Sequence, residues 1–131
     1  MLLAPGIKTI SQLNILFIKK INSYLGIKTP LETSENFTLV NGKTQCLLDI
    51  LSQKGASTYV SGPSASAYID TKAFQAAGIR LEYKSYDYKP YPQMWGQFNG
   101  AVTVLDLIAN CGPESRKYLR SISPNIRASM K

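Results

Sequence analysis

The 131-residue chain contains no histidine. That excludes serine–histidine and cysteine–histidine nucleophile pairs, histidine general bases and histidine metal ligands from this chain. Cysteine is scarce: Cys46 and Cys111 stand alone, without metal-ligand spacing. Each lies in a helix-like context and reads as a small buried hydrophobe, reduced in a cytosol, so no metal site is expected. No apolar run approaches the roughly 20 residues that span a bilayer; the one at residues 15–18 stops at Lys19-Lys20. Residues 1–5 are too short for a secretory signal, which leaves the cytoplasm as the expected location. Acidic residues are few, 8 against 15 basic, for a net charge of +7. The surplus allows an anionic partner (phosphate, nucleotide, nucleic acid or acidic lipid) without choosing among them. The densest basic group, Arg116, Lys117, Arg120, Arg127 and Lys131, has no nucleic-acid recognition motif beside it and reads as a solvated tail.

With 44% hydrophobic and 18% charged residues, the composition is that of one globular domain over residues 1–131. Thr9 with Gln12 forms a capping-box pattern ahead of Ile10, Leu13, Phe17, Ile21, Tyr24 and Leu25, an apolar face at helical spacing closed by Gly26. Lys19 and Lys20 suit the C-terminal end of that helix. Residues 27–33 predict a short edge strand despite Pro30, and 33–36 a polar loop. Asn41 predicts the cap of a second helix with Leu47, Leu48 and Leu51 inward and Gly55 as its stop. Thr58-Tyr59-Val60 is β-forming, so strand, helix and strand read as a right-handed parallel crossover. Asn41-Gly42-Lys43-Thr44 is not a phosphate loop, because Phe37 stands where its first glycine must be.

Ser61-Gly62-Pro63 ends the second strand. Gly62 offers a backbone freedom few residues have, and Pro63 suits the first turn of a helix over 64–69. Asp70 predicts the cap of a further helix through Phe74, Ala76 and Ala77, ended by Gly78. Ile79, Leu81 and Tyr83 alternate with Arg80, Glu82 and Lys84, a strand with one wet face. Residues 85–100 hold Tyr86, Tyr88, Tyr91, Trp95 and Phe98 among prolines and glycines, too long and too aromatic for a simple connector, and so either packed cover or a ligand-binding loop. Val102, Val104, Leu105, Leu107 and Ile108 predict the most hydrophobic helix, ended at Asn110-Cys111-Gly112. Pro113-Glu114 start a short one through Tyr118 and Leu119, and residues 121–131 read as a frayed tail. The expected fold is α/β: a small, mainly parallel sheet of the Ile27, Thr58 and Ile79 strands, covered by helices with Rossmann-like layering. Leu47, Leu51, Tyr59, Ile79, Leu81, Leu105 and Ile108 are expected in the core.

Several segments in this order resemble the WbqC-like family: Tyr59-Val60-Ser61-Gly62-Pro63, Tyr68-Ile69-Asp70, Ala77-Gly78-Ile79 with Leu81-Glu82-Tyr83, Tyr91-Pro92-Gln93, and Leu105-Asp106-Leu107-Ile108 with Asn110-Cys111-Gly112-Pro113-Glu114. The resemblance implies a place in bacterial surface-polysaccharide (O-antigen) or sugar-nucleotide biosynthesis and brings no catalytic residues with it. Family members carry an opening Gln-Pro and aromatic motif that this chain lacks, so the chain is expected to be the C-terminal half of a longer protein. A domain cut in this way is expected to expose an apolar surface or a bare sheet edge and to form a homo-oligomer.

Read from the residues, the ligand site lies at the carboxyl end of the strands, where open α/β sheets bind ligands. Ser34, Ser61, Gly62 and Ser64 are placed there, with Asp87 at the same edge. The helix start favours an anion. Tyr91, Gln93 and Trp95 are expected to flank a sugar or base, by stacking and by fixing hydroxyls, while Trp95 reads equally as a core residue. Asp106, as a partner of the Thr103 cap, and Glu114, at a helix start, read as structural. Three functions stand: an enzyme, or part of one, transferring an acyl or similar group on an amino or nucleotide-linked sugar; a non-catalytic binding or assembly domain of the same pathway; and a basic nucleic-acid-binding domain, the least supported.

Overall fold

The structure, a computed structural model, describes residues 6–40 and 42–128. In chain order its elements are helix α1 (Ile10–Tyr24), a 3-10 turn (Ser34–Asn36), helix α2 (Lys43–Gln53) and strand β1 (Thr58–Ser61). A 3-10 helix (Pro63–Ala67), helix α3 (Thr71–Ala76) and strand β2 (Arg80–Tyr83) follow. Helix α4 (Val104–Cys111), a 3-10 helix (Gly112–Tyr118) and strand β3 (Ile126–Arg127) complete the order. No helix among the described residues is long and apolar enough to cross a membrane.

The chain forms two compact units. One comprises Leu31–Lys89 with Ser121–Lys131, the other Met1–Pro30 with Pro90–Arg120.

The first unit holds a three-stranded sheet in the order β1-β2-β3. β1 and β2 run parallel, Thr58 opposite Arg80 and Ser61 opposite Tyr83; β2 and β3 run antiparallel. The sheet is thus mixed: one pair parallel, one antiparallel. Asp70 caps α3 by accepting from the Lys72 and Ala73 amides, and the alternation in β2 buries Leu81 and Tyr83 while Arg80 stays in water. Phe74, 1% exposed, packs on Tyr59 with ring centroids 5.5 Å apart, in a core with Leu48, Ala65, Ile69, Ile79, Leu81 and Tyr83. Leu47 and Leu51 of α2 pack partly buried against it.

Two expectations about strands fail. Residues 27–33 form no strand: Pro30 removes a ladder donor, and Ile27 and Leu31 are exposed. The parallel crossover is instead the next one along, from β1 through α3 to β2. Residues 121–128 do not fray, because β3 pairs with β2 and the Ala128 amide donates to the Leu81 carbonyl at 3.0 Å. Asn41, expected to cap α2, and Lys131 of the basic tail lie outside the described residues. Gly42, at φ +128, directly precedes α2.

In the second unit the Thr9 capping box forms as expected, and α1 ends at Gly26 with φ +66. Lys19 and Lys20 fall short of its last turn. The Arg116 guanidinium donates to the Gly26 carbonyl at 3.1 Å. Thr103 caps α4, and Gly112 ends it at φ +51. Ser115, fully buried, donates from its hydroxyl to the Gly112 carbonyl at 2.6 Å and lies 3.3 Å from that of Leu107. Leu105, expected in the core, is 57% exposed. The inward stripe of α4 is Val104, Leu107, Ile108 and Cys111, half-buried or buried, and Leu105 lies about 100° around the helix from Val104.

Candidate functional site

Asp106 lies in the first turn of α4, where the free amides of the helix start favour a carboxylate. Thr103 is the cap, accepting from the Leu105 amide at 3.2 Å, so Asp106 is not spent on capping. Its carboxylate instead reaches the aromatic loop. Oδ2 accepts from the Tyr91 hydroxyl at 2.6 Å and from the Gln93 amide at 2.9 Å. These bonds, Tyr91 first, hold its carboxyl below the usual carboxylate range. Burial, then the same bond to Asp106, pushes the Tyr91 phenol up. Gln93 closes the loop by donating to the Asn99 carbonyl (3.0 Å) and accepting from the Asn99 amide (2.8 Å). The Tyr91 ring sits edge-on to Phe98 at 5.2 Å and to Tyr118 at 5.8 Å.

The loop is therefore braced at its base and open at its tip. Trp95 is 84% exposed, followed by Gly96 at φ +67, with exposed Met94 before it. Trp95 is not a core residue. Tyr91 and Gln93, expected to touch ligand, are committed to the brace, with both amide protons of Gln93 used. Asp106 is the residue that sequence reasoning misassigned. An acid three residues after a threonine cap has a local explanation, and nothing in the spacing points to Tyr91.

Ser61, Gly62, Ser64 and Asp87 belong to the sheet unit. Gly62 has φ −73 and ψ 155, open to any residue, and a Cβ there would lie 3.8 Å from the Tyr86 hydroxyl. The turn does not need glycine. The helix after it is a five-residue 3-10 helix, tighter than the α-helix expected. Ser61 is half-buried and Ser64 exposed. Nearby in the fold, opposite Ser61 on β2, the buried Tyr83 hydroxyl has no hydrogen-bond partner among the described residues. Asp87 works as a pin. Its carboxylate accepts from Ser123 at 2.5 Å, and its carbonyl accepts from the Ile122 amide at 2.6 Å and the Ser121 hydroxyl at 3.1 Å. Ser34 opens the 3-10 turn, and Glu114 pairs with Lys117. Among the described residues, no three His, Cys, Asp or Glu side chains gather where they could hold a metal ion.

The profile of the WbqC-like protein family matches residues 2–118. The chain belongs to that family. The match covers nearly the whole chain, and the expectation of only the C-terminal half of a family member is not borne out. Over 112 residues this WbqC-like chain is 45% identical to the uncharacterized protein Rv1507c of Mycobacterium tuberculosis (strain ATCC 25618 / H37Rv), covering 85% of its own length and 48% of that relative's. The chain thus spans about half the length of the curated relative it matches. No solved structure matches it.

Proposed function

We propose that this WbqC-like chain binds a sugar, carried on a nucleotide, in the biosynthesis of a bacterial surface polysaccharide such as O-antigen. The observation that supports the reading is Trp95: an indole held in water at the tip of a loop whose base is braced by Asp106, Tyr91 and Gln93. A flat aromatic face stacks on sugar or base, and a braced loop loses little entropy on binding. The net charge of +7 favours approach of an anionic ligand. The role proposed for this chain is to hold the sugar, while transfer of an acyl or similar group to an amino sugar is proposed for the step it serves.

A second contact is proposed on the sheet unit. The β1–α3–β2 crossover is proposed as a Rossmann-like part of the fold, with Ser61, Gly62 and Ser64 offering amides and hydroxyls to an anion. Self-association through the outer edge of β1 belongs to the same proposal.

The experiment is a calorimetric titration of a panel of nucleotide sugars, with the bare nucleotides as controls. Binding of a nucleotide sugar that weakens in Trp95→Ala supports the reading. A panel that does not bind, or binding indifferent to Trp95, overturns it.

A further inference from the structure

Helix α1 has fifteen residues and none of them is buried. An amphipathic helix of this length ordinarily draws its stability from covering its apolar face. Here Ile10, Phe17 and Tyr24 recur every seven residues and are 76%, 43% and 54% exposed. Seven residues fall about 20° short of two full turns. The three side chains therefore make one continuous stripe, about 21 Å long at 1.5 Å per residue. Lys20 lies three residues after Phe17 and four before Tyr24, so it flanks the stripe.

The segment that carries the stripe has charge of one sign. Residues 1–31 contain Lys8, Lys19, Lys20 and Lys28 and no acidic residue; the first acid in the chain is Glu32. A second copy laid on the stripe would set these lysines against their own kind. A surface that is apolar beneath and anionic above accepts both features, the lysine stems lying over the apolar layer with their ammonium groups at phosphates.

We propose that α1 docks this protein on an anionic phospholipid surface, lying in the plane of the headgroups with Ile10, Phe17 and Tyr24 downward. At about 22 Å the helix is shorter than the ~30 Å hydrocarbon core, so it lies on the bilayer. The inference stands apart from the sugar-binding reading, which uses none of these residues.

The test is co-sedimentation of the full chain with phosphatidylcholine vesicles carrying about 30% phosphatidylglycerol, against phosphatidylcholine alone. Binding is expected to the anionic vesicles only and to fall steeply from about 0.05 to 0.5 M salt. Lys20→Glu, on the flank of the stripe, is expected to weaken it about tenfold. Ile10→Ser with Phe17→Ser should do the same by removing apolar anchorage. Circular dichroism and melting temperature check that each variant folds. Ile10→Ser alone, at the most exposed position of the stripe, serves if the double variant does not fold.

No binding to the anionic vesicles overturns the proposal, as does equal binding to neutral ones. So does binding that needs Lys20 and ignores Ile10 and Phe17, since that is attraction of any cation. A dimer in light scattering that falls apart in Ile10→Ser, without vesicle binding, would give the stripe to a second copy and also overturns it.

Discussion

Replacing Trp95 by alanine separates the two uses a lone tryptophan can have. A fully buried aromatic side chain of this size covers up to about 250 Å². With 84% of Trp95 exposed, about 40 Å² is covered by the fold. At ~25 cal/mol per Å² that is worth about 1 kcal/mol of stability at most. Stacking on a base or sugar would add about 1–3 kcal/mol to binding, a loss of roughly 5- to 150-fold in affinity on truncation. The expected result is therefore a urea midpoint close to that of the parent, with a clear loss of affinity for nucleotide sugars by calorimetry. Circular dichroism must follow the unfolding, because the variant has no tryptophan left to fluoresce. Phe74→Ala is the contrasting control: at 1% exposure it should lose about 3–5 kcal/mol. If Trp95→Ala loses stability on the scale of Phe74→Ala, the indole is packed and the tip is not open. If both stability and affinity are unchanged, the loop is no ligand contact.

Asp106→Asn tests the brace through pH. Its carboxyl is held below the ordinary range, so its contribution is fully present above the unfolded-state pKa and is lost as pH falls through the lower folded value. The variant should melt earlier than the parent at neutral pH, with the gap closing in strong acid; a gap independent of pH refutes the assignment. Gly26→Ala should cost about 1–2 kcal/mol, because φ is +66 and the new Cβ would meet the Arg116 guanidinium at 2.5 Å. Gly62→Ala should stay within about 0.5 kcal/mol by urea unfolding, and a large loss there would mean the turn is strained after all. Tyr83→Phe removes a buried, unpartnered hydroxyl and should raise stability, by up to about 1–3 kcal/mol; a clear loss would reveal a partner for that hydroxyl.

Local chemistry was enough for much of the fold. The caps at Thr9 and Asp70 and the helix-ending glycines Gly26, Gly55, Gly78 and Gly112 act within four or five residues of themselves. The period of two in β2 depends only on side chains pointing alternately to either face. These features are written into adjacent residues and were legible there. The family, too, was legible, because its segments follow one another along the chain.

Tertiary structure decided the rest. A strand exists only where another backbone offers its amides. Residues 27–33 have β-forming side chains and form no strand, while 126–127, in a segment that looked frayed, pair with β2 more than forty residues away. Which leucine of α4 is buried depended on the side from which its neighbours approach, so Leu107 went in and Leu105 stayed out. Asp106 found Tyr91 across fifteen residues rather than the threonine beside it. Trp95 has the same side chain in a core as in water. The loop beneath it is braced by hydrogen bonds that reach from within the loop to α4, and Trp95 stands at the surface.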